Sequence, residues 1–296
     1  MIFIDPNNAR KGKLIDDSIR QQTDNSLPPI FSHIEINLSG LCTRKCEFCP
    51  RSNPEVFPSV DEYMPVRLFE KIVADLQDID FKGTIIFSAF SEPLLHQQLE
   101  DLVRLAGKYC PEARTEVITN GDPLTEKRLS SLFSAGLATL CVSMYDGPHQ
   151  LDQFKAMQRA VGLRNDQIVF RQRWLSAKEH FGITLTNRGG AIEMKDLGVV
   201  TPAEPVKKPC YYPFSQITIN FDGKVLLCTH DWNKRISVGD VNDSSLLEVW
   251  NNDRLKKIRM DLARANRDFS PCNLCNVDGT MMGQNHFNAW ERFYGK

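Results

Sequence analysis

Between Ser32 and Thr186 the chain alternates short β-branched runs with stretches whose apolar residues recur at helical spacing, and this rhythm constrains the fold most. The strand-like runs lie near His33–Ser39, Thr84–Ala89, Arg114–Thr119, Ala138–Met144, Gln167–Trp174 and Gly182–Thr186. Pro65 sits where a first helical turn would begin, and Val66, Phe69, Ile72, Val73 and Leu76 follow at helical spacing. Leu99, Leu102, Val103 and Ala106, then Leu129, Leu132 and Phe133, then Phe154, Met157 and Val161 repeat the pattern. Five or six such units with right-handed crossovers curl into an open barrel. The expected fold class is therefore α/β, a partial (β/α)6 TIM-like barrel over residues 32–190, with its active site at the carboxyl ends of the strands.

Residues 1–31 precede the barrel as an extension without a readable motif. After the barrel, residues 191–209 read as a connector, following the adjacent Gly189 and Gly190 and containing Pro202 and Pro205. Residues 210–296 form the expected second, smaller region. There QITINFDGKVLLC (Gln216–Cys228) is two alternating runs joined by Asp222-Gly223, a hairpin signal. Ser244 and Ser245 then precede Leu246, Leu247, Val249 and Trp250, opening a mixed-charge helix that runs to about Arg267.

Lys and Arg number 36 against 37 Asp and Glu, so the chain has no basic excess with which to hold a polyanion, and a nucleic-acid partner is not expected. No apolar run approaches the roughly 20 residues that span a bilayer, and MIFIDPNNAR at the start lacks a basic segment followed by an apolar one. A cytoplasmic protein without a membrane partner is expected. In such a setting nine cysteines point to metal binding or catalysis rather than to disulfides.

Seven of the nine fall into two sets. Cys42, Cys46 and Cys49 form C-x3-C-x2-C in the loop after the first strand, at the barrel mouth. Structural zinc takes four protein ligands, whereas an iron–sulfur cubane held by three thiolates keeps one iron open; a zinc loop or a chance grouping of buried thiols is the alternative. Placed directly after the first barrel strand, with Phe48 before the third cysteine, C-T-R-K-C-E-F-C resembles the signature of the radical S-adenosylmethionine superfamily.

That resemblance implies a [4Fe–4S] cluster on Cys42, Cys46 and Cys49 whose open iron binds the amino and carboxylate groups of S-adenosylmethionine. Electron transfer then cleaves the sulfonium to methionine and a 5′-deoxyadenosyl radical. Ser91-Glu92-Pro93 resembles the superfamily's GGEP motif, with Phe90 and Ser91 in place of its two glycines, and leaves Glu92 as the partner of the methionine ammonium. Thr119-Asn120-Gly121 is similar to the segment that reaches the ribose, and Ser143 to the serine that contacts the cofactor carboxylate. Each of these segments alone could be turn chemistry.

Cys210, Cys228, Cys272 and Cys275 make the second set: Cys210 and Cys228 bracket the hairpin, and Cys272-x2-Cys275 follows the helix. By spacing alone a zinc ribbon is equally possible. Beside the first motif the set resembles the SPASM extension and its shortened twitch form, which implies one auxiliary [4Fe–4S] cluster, since no cysteine follows Cys275. Cys110 reads as a packed apolar residue. Cys141 lies two residues before Ser143 on one strand face, where a buried thiol could give a hydrogen atom to a substrate radical, as in some radical epimerases.

Glu35 and Asn37 interrupt the apolar first strand at period two, and Arg171 and Arg173 share a face of the fifth; Arg188 follows the sixth. These polar groups suggest a polar, hydroxylated or anionic small-molecule substrate. The resemblance to short twitch-bearing dehydrogenases implies oxidation of an alcohol of a sugar or aminocyclitol to a ketone. In that chemistry the auxiliary cluster takes the last electron, Glu35 and Arg188 hold and deprotonate the hydroxyl, and flavodoxin or ferredoxin is the electron donor. The alternatives are a radical epimerase, a peptide-modifying enzyme, or a two-site zinc interaction module.

Overall fold

The structure, a computed structural model, describes residues 5–20 and 27–295. Residues 1–4 and 21–26 of the expected N-terminal extension lie outside the described residues. Five strands, β1 (His33–Ile36), β2 (Thr84–Phe87), β3 (Arg114–Thr119), β4 (Thr139–Met144) and β5 (Ile168–Gln172), pair in parallel and in chain order. Helices α2 (Val66–Asp78), α3 (Leu99–Tyr109), α4 (Glu126–Ser134) and α5 (His149–Val161) connect them, and α1 (Pro6–Arg20) precedes them. The four crossover helices match the apolar periodicities, and α2 begins at Val66 with Pro65 as its N-cap.

The sixth parallel strand is not Gly182–Thr186. Ala177–Gly182 forms a 3-10 turn instead, with His180 and Phe181 at φ +53° and +52°. Gly182, at φ +67°, folds back so closely that a Cβ there would meet the Gln172 carbonyl oxygen at 2.1 Å, and the chain beyond it does not join the sheet. Phe181 and Ile183 pack on Phe48 instead of pairing with the edge strand β5.

The parallel neighbour on the other side of β1 comes from the C-terminal region. The hairpin forms as expected from β6 (Gln216–Ile219) and β7 (Lys224–Leu226), and β6 pairs in parallel with β1 while β7 and β8 (Ser237–Asp240) continue antiparallel. The result is one open, eight-stranded, largely parallel sheet in the order β5-β4-β3-β2-β1-β6-β7-β8. The α/β open barrel is thus as expected, with five strands rather than six from the first region.

The expected C-terminal helix divides into α7 (Leu246–Asn251) and α8 (Asp253–Ala263), because Asn252 caps the second by accepting from Leu255 N at 2.8 Å. A one-turn helix, α6 (Tyr212–Ser215), leads into β6, and α9 (Gln284–Phe293) closes the fold. Arg259 of α8 is buried between the rings of Trp250 and Trp290, 3.8 and 4.2 Å from their centres. Among the described residues no helix is long and apolar enough to cross a membrane.

The period of two divides the sheet into unlike faces. Ile34, Ile36, Leu38, Ile85, Phe87, Val117, Leu140, Val142, Ile217 and Ile219 join the core beneath the helices. The opposite, concave face carries Glu35, Asn37, Glu116, Cys141, Arg171, Arg173 and Thr218.

Candidate active site

The three-cysteine loop leaves the carboxyl end of β1 and turns at Cys46–Cys49, where Cys49 N donates to Cys46 O at 2.9 Å. Burial raises the pKa of all three thiols; Cys46 is pushed up to about 12, by burial first and then by its neighbours Cys49 and Cys42. Cations stand near them. Arg51, 4% exposed, donates through Nε to Phe90 O at 2.5 Å and lies beside Cys42 and Cys49, and Arg188 lies near Cys49. Phe48 packs under the loop against Phe181, ring centres 5.1 Å apart. A cavity of about 290 Å³ opens beside Cys46 and Phe48, and Tyr145 and Arg173 line its wall.

The ends of β2 and β3 are tied to this loop by Glu92. Its Oε1 accepts from Thr119 Oγ1 at 2.6 Å and Leu94 N at 3.0 Å, and its Oε2 from Asn120 N at 2.8 Å. Burial outweighs these bonds and raises the carboxyl pKa to about 7. Asn120 in turn donates through Nδ2 to Thr43 Oγ1 at 2.8 Å and approaches Cys42 Sγ at 3.7 Å. Ser143 is the penultimate residue of β4, and the backbone N–H groups of Tyr145 and Asp146 after the strand both donate to Gln150 Oε1. Ser91 Oγ is buried without a partner. Ser91, Glu92, Thr119, Asn120 and Ser143 therefore lie at or just beyond the carboxyl ends of β2, β3 and β4.

The second cysteine set assembles from three separate segments. Burial raises the pKa of all four thiols, Cys210 to about 11 and Cys228 well above its ordinary value, and neighbouring thiols add to the rise at Cys210, Cys228 and Cys272. Gly279 packs so closely that a Cβ would meet Cys210 Sγ at 2.5 Å. Two clamps that the sequence did not reveal hold the set. Buried Arg267 donates to the carbonyls of Lys208, Pro209 and Val277, and Asn187 and Asn276 exchange backbone-to-side-chain bonds at 2.9 and 3.1 Å.

Both sets suit iron–sulfur clusters by donor chemistry, since each offers only thiols, kept close by their own loops.

Arg188, at φ +51°, lies between the sets, near Cys49 on one side and Tyr212 on the other; its Nε is buried without a partner. Tyr212 is beside Cys210, Cys228 and Cys275, and its ring meets His230 edge-on at 5.4 Å. On the concave face Glu35 accepts from Ala89 N at 3.1 Å, and Asn37 donates to Asn220 Oδ1 at 2.8 Å. Asn37 Oδ1 and Thr218 Oγ1 are buried without partners.

The remaining sequence candidates are engaged by α1, from which no role could be read. Asp5 takes both Arg171 and Arg173 on its Oδ2. Cys141 Sγ donates to Glu116 Oε1 at 3.3 Å, and Arg10 pairs with Glu116 Oε2 at 2.5 Å. An acid just before α1 and a base within it, both distant in sequence from their partners, leave no periodic signal, so sequence reasoning could not place Asp5 or Arg10.

Comparison with known proteins agrees with this arrangement. A family model for the radical SAM superfamily matches residues 36–167, and one for the SPASM iron–sulfur cluster-binding domain matches residues 210–276. The chain is 28% identical over 249 residues to an S-adenosyl-L-methionine-dependent 2-deoxy-scyllo-inosamine dehydrogenase from Niallia circulans, covering 83% of this chain and 93% of that one. The crystal structure of BtrN in complex with AdoMet and 2-DOIA matches with a TM-score of 0.70 and 28% identity, over 85% of this chain and 95% of that one. The Streptococcus suis SuiB structure bound to precursor peptide SuiA, 15% identical with a TM-score of 0.57 over 86% of this chain and 71% of that one, shares the fold.

Proposed function

Since the chain is a radical S-adenosylmethionine oxidoreductase with a SPASM-type domain and two [4Fe–4S] clusters, we propose that it oxidises a ring hydroxyl of a small aminocyclitol to the ketone. The supporting observation is one of placement: a polar concave face meets a three-thiol loop at one end and a four-thiol set at the other, with Arg188 between them. Cys42, Cys46 and Cys49 would hold a cluster that, with S-adenosylmethionine, would supply hydrogen-atom abstraction at the carbinol carbon, and Cys210, Cys228, Cys272 and Cys275 would hold a second cluster able to accept the remaining electron. The hydroxyl proton would go to a base.

In this reading the chain's own residues do the positioning. Phe48, Ser91, Glu92, Thr119, Asn120 and Ser143 line the cofactor site. Glu35 and Asn37 orient the polyol from β1. The Arg188 guanidinium, with its buried free Nε, holds the hydroxyl and favours its ionised form. Cys141, engaged by Glu116, keeps its thiol proton because burial pushes its pKa up to about 12. Residues 32–190, 191–209 and 210–296 then serve as barrel, connector and auxiliary-cluster region, and an external flavodoxin or ferredoxin in the cytoplasm is the reductant.

The test is anaerobic incubation of reconstituted protein with S-adenosylmethionine, dithionite and 2-deoxy-scyllo-inosamine. Formation of 5′-deoxyadenosine and of a product lighter by two hydrogen atoms is expected. In deuterated water, deuterium on a product carbon with unchanged oxidation level would replace dehydrogenation by epimerisation.

A further inference from the structure

Two arginines at positions i and i+2 of one strand place two guanidinium groups side by side on the concave face, which is how a site for a phosphate or carboxylate is built. Here the carboxylate is supplied from within. Asp5, 6% exposed, bridges Arg171 (3.2 Å) and the buried Arg173 with its Oδ2, while its Oδ1 accepts from Asn7 N at 3.0 Å.

The helix that brings Asp5 is fixed along its length. Asp5 N and Asn8 Nδ2 donate to Thr184 Oγ1 at 3.1 and 3.2 Å, Arg10 pairs with Glu116, and Ile15 is fully buried with its carbonyl accepting from Ser32 Oγ at 3.3 Å. Arg173 also lines the cavity next to Cys46, Phe48 and Tyr145, so one cation of the triad stands in that cavity's wall with Asp5 bound behind it.

We propose that Asp5 is a specificity-determining residue that occupies the Arg171–Arg173 pair and closes the pocket to anionic substrates, selecting uncharged or amine-bearing polyols. This rests on the reading of that cavity as the substrate chamber. An incoming phosphate competes with a carboxylate tethered to the same chain, whose effective concentration is on the order of millimolar or above. Displacing it would also leave a buried carboxylate without its cations. A neutral hydroxyl or an ammonium group meets no such competition.

The experiment is calorimetric titration of the reconstituted holoenzyme, with S-adenosylmethionine present, using 2-deoxy-scyllo-inosamine and myo-inositol 1-phosphate. The wild type is expected to bind the amine and to bind the phosphate at least tenfold more weakly. Asp5→Asn is expected to tighten the phosphate at least tenfold. The double variant Asp5→Asn, Arg171→Gln, which removes one cation along with the acid, should weaken it again.

Phosphate bound by the wild type within threefold of the amine overturns the proposal even if neither variant folds, as does an Asp5→Asn variant with unaltered phosphate affinity. Failure of the functional reading is distinguishable: it would appear as absence of 5′-deoxyadenosine from wild-type protein, whatever the phosphate titration gives.

Discussion

Asn37, one residue beyond β1, donates through Nδ2 to Asn220 Oδ1 at 2.8 Å, and both side chains are buried. Asn220 spends its own Nδ2 on Asp222 Oδ1 at 2.7 Å, so the bond fixes the β6–β7 turn to the strand that launches the three-cysteine loop. Asn37→Leu should leave Asn220 Oδ1 buried and unmet, at a cost of about 1–3 kcal/mol. Urea unfolding of the apoprotein measures it; a variant as stable as the wild type would mean that the bond does not hold the turn.

The two thiol sets should separate in function. Cys46→Ala is expected to abolish 5′-deoxyadenosine formation and to lower iron from about eight to about four per chain. Cys272→Ala with Cys275→Ala should lose a similar share of iron and all ketone product, yet still cleave S-adenosylmethionine slowly when no polyol is present. Ketone from the double variant would confine the second set to a structural role.

Glu92 predicts a specific pH response. Burial raises its carboxyl from 4.5 to about 7, so between those values the native state holds a proton that the unfolded chain has released, and this group's contribution to stability falls as pH rises through the window. Glu92→Gln removes that slope, and the difference in unfolding free energy between variant and wild type should therefore change with pH from 4.5 to 7 and flatten above. If the ionised form serves the cofactor ammonium, S-adenosylmethionine affinity in the wild type should strengthen from pH 6 to 7.5, with no such trend in the variant.

Arg10→Met tests the anchoring of α1. Burial raises the pKa of Glu116, but Lys11 and Arg10 outweigh it and hold the carboxyl below its usual value. The stability this confers is present above pH 4.5 and lost as pH falls below it. Removing Arg10, itself about a quarter exposed, leaves a buried acid without its bonded cation and should cost about 2–3 kcal/mol near neutrality, with a shallower decline below pH 4.5. Equal acid sensitivity of the two proteins would exclude the pair as its source.

The sequence disclosed what periodicity and spacing can carry. Ile34, Ile36 and Leu38 against Glu35 and Asn37 marked the two faces of β1, and Asp222-Gly223 marked the hairpin. Long-range pairing was hidden. Nothing in QITI says that it lies beside HIEI, because any short apolar strand can take a central place in a parallel sheet. The run Gly182–Thr186 had strand composition, but positive φ angles from His180 to Gly182 turn the chain off the sheet. Arg171 and Arg173 were rightly placed on one face, while their partner Asp5 lies more than 160 residues away, beyond the reach of any local rule.

β1 is flanked by parallel β2 on one side and parallel β6 on the other, so the loop of the first thiol set and the hairpin bracketed by Cys210 and Cys228 hang from adjacent rungs of one ladder. Strand spacing in a sheet is fixed at about 4.8 Å by the backbone itself. The main-chain ladder between β1 and β6 therefore braces the strand that launches the first thiol loop directly against the hairpin that the second set brackets.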